Sequence, residues 1–513
     1  MATALCAGTI VTATASVPAA AASGSTLTIL QSAAPVSLNP VAEADWNTRQ
    51  SIGYIYDPLI YPGPNNTLRP GLATSWSSSH KGLVWTFNLR KGVTFQDGTP
   101  FNAQAAVFNF QLNENPQSHN YSTLAPYIKS VTAVGNYTLR IVLKNPYAEF
   151  LDNLMWTPLF VSPTAYKKEG AAGFAQHPVG TGPYEFQSYT TNSSLVLVAN
   201  PHYWGGAPKI HEIKIEIVPD LQTEVVDMET HQADVMYTVP PDDVAALKAH
   251  GVVINGAQIP DNSLITFNLA KPPTNDLKVR QAIMYAIDRP AIIKTVFKGY
   301  AVPIRAGVPP TSPFYHANVA EITYSPAKAK GLLSSDGWKP GAGGIRYKDG
   351  KALSVTILSN PVDPWPEVTQ IVQAELAQLG FKTTVVTQDW GTFLNTARAG
   401  GYSLAYWYYG WNSVASMDGS VFLEPGQYWN ISQDEHAPYA STLLKLYNQE
   451  LSETNVAQRS ATLLKWQELV AKDMLVGWLW NPESISAISP KLHGYAFDNW
   501  QYLFLNRNAN LSQ

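Results

Sequence analysis

Apolar residues recur at every second position along much of the chain. Trp85, Phe87 and Leu89 alternate with Thr86, Asn88 and Arg90, the period of a strand with one buried face. Leu139, Ile141 and Leu143 repeat the pattern after a Gly135–Asn136 turn. Ile213, Ile215 and Ile217 do so around Lys214 and Glu216. Leu27–Leu30, Ser194–Ala199 and Tyr402–Tyr409 predict further strands. Other stretches carry the helical period. Val368, Ile371, Val372, Leu376 and Leu379 form a stripe that Gly380 ends,. Val279, Ile283, Ala286 and Ile287 form a second stripe. Asp288 then predicts the cap of a helix over Arg289–Lys298, with Pro290 near its start and Gly299 past its end,. Asn102 predicts a cap for Ala103–Leu112, with Val107, Phe108 and Leu112 on one face. Ser325–Pro326 opens another helix. Ile52, Ile55, Tyr56 and Leu59 predict a helix within Asp45–Ile60, and Leu443–Tyr447 and Ala461–Lys472 predict late ones,. The succession is mixed α/β, with crossovers and some hairpins.

Size divides this pattern among several cores. A chain of 513 residues corresponds to about three domains of ordinary size. Hydrophobic content of 45% is globular, and charged content of 14% is low against a usual ~25%. A net charge of −4 provides no basic field for nucleic acid or an anionic membrane. Beyond the N-terminus nothing approaches the ~18 uninterrupted apolar residues of a membrane span. Met1–Ala22 is rich in Ala, Val and Thr, ends in Ala20-Ala21-Ala22, and precedes the first basic residue, Arg49. It reads as a secretory signal without its basic leader, the alternative being a disordered Ala-rich tail. The single cysteine is Cys6, and Leu5 before it matches a lipidation site poorly. Without that segment the chain has no disulfide, thiol nucleophile or Cys-based metal site.

A search for reaction chemistry finds no ordered motif. His211-Glu212 is followed by Ile215 where a zinc helix needs its second His,. There is no Gly-x-Ser-x-Gly elbow and no phosphate-binding Gly-Lys-Ser/Thr loop. Gly180-Thr181-Gly182 leads through Pro183 into a strand, so it offers no helix N-terminus to an anion. His177 and His202 sit in turns, and Asp242-Asp243 reads as a helix start. No spacing of Asp and Glu marks a glycosidase pair, and no His, Asp or Glu cluster marks a metal site. No cofactor is implied.

Three strings carry a resemblance. Pro70–Leu112 reads PGLATSWSSSHKGLVWTFNLRKGVTFQDGTPFNAQAAVFNFQL. Pro178–Tyr184 reads PVGTGPY and is followed by Asn200-Pro201-His202-Tyr203-Trp204. Val279–Ile293 reads VRQAIMYAIDRPAII. Together they resemble the extracytoplasmic solute-binding proteins of family 5, which deliver peptides, nickel and related solutes to ABC importers and include dipeptide- and oligopeptide-binding proteins. The resemblance implies a bilobed periplasmic-binding-protein fold (type II, large cluster C type) with an extra subdomain in lobe I. By analogy 1–24 is signal-like. Lobe I combines 25–67, 180–266 and 487–513, the extra subdomain is 68–179, and lobe II is 267–486. It also implies a monomer that is not an enzyme and acts outside the cytoplasm. Such a protein takes a small solute or peptide, works with permease and ATPase subunits, binds no nucleic acid, and meets the membrane only through the transporter or a lipid anchor.

Within that resemblance the ligand candidates are mostly aromatic. Tyr406-Trp407-Tyr408-Tyr409-Gly410-Trp411 occupies the place of a strand entering the cleft. Trp407 and Tyr409 share one face of it, and Tyr406 and Tyr408 the other. The same rings also serve as core. Trp411, at the strand end, is the stronger cleft candidate, with Tyr409, Trp46, Trp365 and Trp390 beside it. Peptide binders pair the buried ammonium with an Asp three residues after the Trp that matches Trp411. Here that position is Val414, and Asp418 is the alternative. Where dipeptide binders carry an Arg for the carboxylate, this chain has Pro366 and Glu367. Losing one partner of a desolvated charge pair costs about 3–5 kcal/mol. The pattern therefore favours a solute with less charged ends, such as a modified or longer peptide, an oligosaccharide or another amphipathic metabolite. The alternatives to transport are an extracellular hydrolase and a non-transport sensor on the same fold.

Overall fold

The computed structural model describes residues 25–42, 46–63, 67–116, 118, 124–259, 261–308, 310, 312–361, 364–410, 432, 439–497 and 503–512. A 12-stranded sheet runs through the described residues. From one edge its order is Lys382–Thr387, Ser354–Ser359, Leu404–Gly410, Asp261–Phe267 and the long Val476–Ile488. It continues through Val235–Met236, Thr26–Gln31, Glu212–Ile217 and Ser194–Ala199 to Tyr184–Thr190. Val476–Ile488 is shared by both halves. Its beginning pairs with Asp261–Phe267, and its end pairs with Val253–Gln258 and Val235–Met236. The chain thus passes between halves inside sheet strands, without a tether. The whole of Asp261–Phe267 pairs with Leu404–Gly410 and Val476–Ile488.

Each half has its own core. Leu27, Ile29, Leu195, Leu197, Ile213 and Ile215 are buried in the first, with Ile213 and Ile215 on the inward side of the predicted alternation. In the second, Val279, Ile283, Val368, Val372, Leu376 and Tyr406 pack together, so both predicted helical stripes face one cluster. A separate four-stranded sheet of Ala73–Ser79, Val84–Leu89, Thr138–Leu143 and Ile128–Ala133 packs on the helix Ala103–Asn113.

The caps form as predicted. Asn102 Oδ1 accepts from Ala105 N at 3.0 Å, and Asp288 Oδ1 accepts from Ala291 N at 3.0 Å. Two local expectations change. Val107, Phe108 and Leu112 are only half-buried, because the helix Ala103–Asn113 is covered on two sides. Val107 packs on the subdomain core, and Phe108 and Leu112 pack on the first-half core. The fully inward Asn109 exchanges bonds with the Val161 backbone at 2.8 and 3.0 Å. The helix expected within Asp45–Ile60 is instead Trp46–Ile52. Beyond it the backbone pairs across the chain. Gly182 N donates to Ile55 O at 2.8 Å and Tyr184 N to Tyr54 O at 3.0 Å. These bonds claim the carbonyls that a longer helix would have used.

Candidate functional site

Residues 49–62 and 155–159, with Tyr237 and Leu505, line a small open pocket of about 90 Å³. Tyr54, Tyr56, Tyr61, Trp156 and Tyr237 supply the aromatic wall, with Met155, Leu159 and Leu505 adding aliphatic surface. Among the described residues, Arg49 is the sole charged side chain in the wall. It sits one turn into the helix Trp46–Ile52. Its guanidinium lies 5.7 Å from the centre of the Trp156 ring, and Nη1 donates to Trp156 O at 2.6 Å. The phenols bond inward. Tyr54 Oη and Tyr237 Oη are 3.1 Å apart, Tyr56 Oη donates to Leu38 O at 2.8 Å, and Tyr61 Oη donates to Asp57 Oδ1 at 2.5 Å. Burial raises the pKa of Tyr54, Tyr56 and Tyr61 well above the usual phenol value, so all three stay neutral,.

The pocket borders the junction of the halves. Trp156 lines it and also packs in a second-half cluster with Leu264, Phe314 and Trp466. A few residues earlier, the same segment makes a buried ionic contact with the second half. Arg459 Nη2 is 3.0 Å from Glu149 Oε1, and Arg459 Nε is 2.8 Å from Glu450 Oε2. All three side chains are nearly inaccessible, and Ala148 N donates to Leu451 O at 2.7 Å beside them.

Of the predicted ligand residues, Trp46, Trp365 and Trp390 are not among the residues lining this pocket. Trp411, Val414 and Asp418 lie outside the described residues, as does the Met1–Ala22 segment with Cys6. Tyr409 belongs to the strand Leu404–Gly410 opposite Asn262, and its side chain is also outside the description. Trp365 is 4% exposed, its ring 5.7 Å from that of Tyr406 in the second-half core. Trp46 and Trp390 are 39% and 41% exposed. Trp390 stacks on Phe393 at 5.4 Å. The wall residues Arg49, Tyr54, Tyr61, Trp156 and Tyr237 were missed. Their sequence signal is the run Tyr54-Ile55-Tyr56-Asp57-Pro58, which has too many rings for the short helix before it to bury.

The model for bacterial extracellular solute-binding proteins, family 5 Middle, matches residues 67–431. The chain belongs to that family. It is 30% identical to the nickel-binding periplasmic protein of Escherichia coli K12 over 72% of this chain and 73% of that one. It is also 30% identical to heme-binding protein A of Haemophilus influenzae over 95% and 93%. In fold it resembles NikA from Brucella suis in complex with Fe(III)-EDTA, with a TM-score of 0.87 and 24% identity over 95% of this chain and all of that one.

In this family 5 protein, two of the quoted strings meet at a single carboxylate. Asp57 is fully buried, and each of its oxygens accepts two donors. Oδ1 takes Tyr61 Oη at 2.5 Å and Tyr203 Oη at 3.1 Å. Oδ2 takes Thr181 Oγ1 at 2.7 Å and Trp204 Nε1 at 2.9 Å. Burial outweighs these four bonds and raises the Asp57 pKa. The glycines of PVGTGPY serve the same knot. A Cβ on Gly180 would lie 2.1 Å from Ile55 O, and one on Gly182 would lie 2.5 Å from Tyr54 O. Tyr61 belongs both to this hydrogen-bonded knot and to the pocket wall.

Proposed function

We propose that this chain is the extracytoplasmic solute-binding component of an ABC import system. It captures a small organic solute between two lobes and presents the closed form to a membrane permease with its ATPases. Family membership supplies the class. The observation that carries the site is Trp156, which is both pocket wall and contact with the opposite half. A solute seated against that wall would make different contacts in the open and closed forms. Such a difference in affinity is what shifts a hinge equilibrium.

In this reading lobe I combines the N-terminal strands, residues 180–258 and the C-terminal hairpin. The extra subdomain is 68–179, and lobe II is the remainder up to the shared strand Val476–Ile488. The hinge lies where Val253–Gln258, Asp261–Phe267 and Val476–Ile488 cross between halves. The relatives' names include nickel and heme, so family membership alone does not choose a cargo. Among the described residues no group of three or more His, Cys, Asp or Glu could hold a metal ion, which favours an organic solute. Capture is reversible and involves no covalent step. Among the described residues no helix is long and apolar enough to cross a membrane.

The test is mass spectrometry of ligand released from natively purified protein, then small-angle scattering of the stripped protein with and without it. A stoichiometric solute that compacts the particle is expected. Conversion of that solute to product, or binding without compaction, refutes the proposal.

A further inference from the structure

Resting on the two-lobe reading, we propose that the contact between the subdomain and the helix pair Ala440–Ser452 and Val456–Asp473 is a clasp that parts when the halves open, and that the Glu149–Arg459 pair sets its register.

Each side of the contact is fixed to a different half. The subdomain is joined to the first half by Gln96 Nε2, which donates to Ile55 O at 3.1 Å and to Tyr184 O at 2.8 Å. Phe108 and Leu112 of the subdomain pack on the first-half core. The helix pair is joined to the second half by Leu443, Leu463, Trp466 and Val470, which cluster with Leu264 and Leu358. Gln467 Nε2 adds a bond to Phe314 O at 3.1 Å. The helix that buries Leu443 in the second half also places Tyr447 and Leu451 in the subdomain core, in one cluster with Tyr147 and Phe150. The halves share the strand Val476–Ile488 as well. A turn about that strand therefore has to shear or part the contact made by the helix pair.

The polar part of the contact is built to separate. Arg459 Nη2 reaches Glu149 of the subdomain at 3.0 Å, while its Nε bonds Glu450 at 2.8 Å on the neighbouring helix of its own half. On opening, Glu149 leaves with the subdomain and Arg459 keeps Glu450, so the charge is never stripped of both carboxylates. Gln449 Nε2 donates to Thr462 Oγ1 at 3.2 Å and ties the two helices to each other. The bond from Ala148 N to Leu451 O crosses the contact at 2.7 Å. At its edge the surfaces meet closely, since a Cβ on Gly82 would lie 2.9 Å from the Thr454 methyl.

Adhesion comes from burying Tyr447 and Leu451,. The ion pair contributes selectivity instead. A buried pair adds little net strength over apolar residues of the same size, but a misplaced one is strongly unfavourable. The pair therefore permits one seating of the subdomain on the helices. A solute that bridges the halves holds the clasp shut, and the empty protein parts it more often.

The experiment is residue-resolved amide hydrogen exchange on the full chain, stripped of solute and then supplied with the solute extract released from the same preparation. Ala148 N is the probe. Val161 N is the reference, because it donates at 2.8 Å to the fully buried Asn109 inside the subdomain. In the stripped protein Ala148 is expected to exchange about tenfold faster than Val161 or more, and to depend only weakly on low urea, as an opening that exposes little surface does. The extract should slow Ala148 and narrow the gap. Glu149→Gln should speed Ala148 by about tenfold with the weak urea dependence retained, whereas a general loss of stability would make that dependence steep. Equal exchange at the two amides, steep urea dependence at Ala148, or no slowing by an extract that compacts the particle overturns the clasp and leaves solute capture standing. An unchanged Ala148 rate in Glu149→Gln overturns the role of the pair. The wild-type series decides the clasp alone if the variant folds poorly. Absence of any compacting solute sinks solute capture itself.

Discussion

Removing the Asp57 carboxylate tests the physical link between the family strings and the pocket. Asp57→Ala leaves Tyr61, Thr181, Tyr203 and Trp204 without their shared acceptor. A buried donor left unsatisfied costs about 1–3 kcal/mol, so four would cost on the order of 4–12 kcal/mol with no relaxation. Two effects reduce this. Deleting a buried charge that no cation neutralises returns several kcal/mol of desolvation, and water can enter the space the side chain leaves. The expected net loss is about 3–5 kcal/mol. Asp57→Asn should cost about half of that. If its amide nitrogen replaces Oδ1, Tyr61 and Tyr203 can rotate their hydroxyls to accept, while Thr181 and Trp204 keep an oxygen. What is lost is the charge assistance, which roughly doubles such bonds. Urea unfolding followed by tryptophan fluorescence and by circular dichroism measures both variants, and agreement between the two probes checks that one transition is being read. The Asn variant also reports on the charge. Burial raises the folded-state pKa of Asp57, so its contribution to stability is fully present below the ordinary carboxyl value and is lost as pH rises through the raised one. That component should vanish in Asp57→Asn. An Asp57→Ala protein within about 1 kcal/mol of wild type would refute the idea that this knot supports the wall, because the penalties for four orphaned donors could not then be present.

Three further outcomes follow from the same geometry. Glu224 is 1% exposed, and burial, with Asp227 nearby, pushes its carboxyl up to about 8. Stability should fall as pH rises between about 4.5 and 8, and Glu224→Gln should remove that fall, on the order of 2–4 kcal/mol; equal melting-temperature profiles from pH 5 to 8 for wild type and variant would refute this. Arg459→Met strands Glu149 and Glu450 at the contact between subdomain and second half and should cost about 3–5 kcal/mol. Replacing all three residues with apolar ones should recover most of it, and scattering should show a more open particle for the single variant only. Gly182→Ala places a methyl 2.5 Å from Tyr54 O and Ile55 C and should cost about 1–3 kcal/mol by overpacking. Solute affinity should weaken with it because Tyr54 lines the pocket, and unchanged unfolding would show that the two segments can separate freely.

Local chemistry made much of the fold legible from sequence alone. The alternation at Ile213, Ile215 and Ile217 fixed which face of that strand is inward, since a one-residue slip would expose all three. Asn102, Asp288 and Ser325 announced their helices because a cap is satisfied by donors only two or three residues away. The strings PGLATSW…FNFQL, PVGTGPY and VRQAIMYAIDRPAII were enough to indicate the family and with it the fold. Tertiary structure decided what depends on distant partners. The residues after Ile52 read as a continuing helix, but the Gly182 and Tyr184 amides, more than a hundred positions away, claim their carbonyls. Trp365 and Trp46 had equal standing as rings in the sequence, and packing buried one and exposed the other. The pocket brings Arg49, Trp156 and Tyr237 together from three separate stretches, and no periodicity within any one stretch encodes that meeting. Sequence specifies each residue's local preference, whereas a site is a set of distances between residues far apart in the chain, and these exist only after the cores have packed.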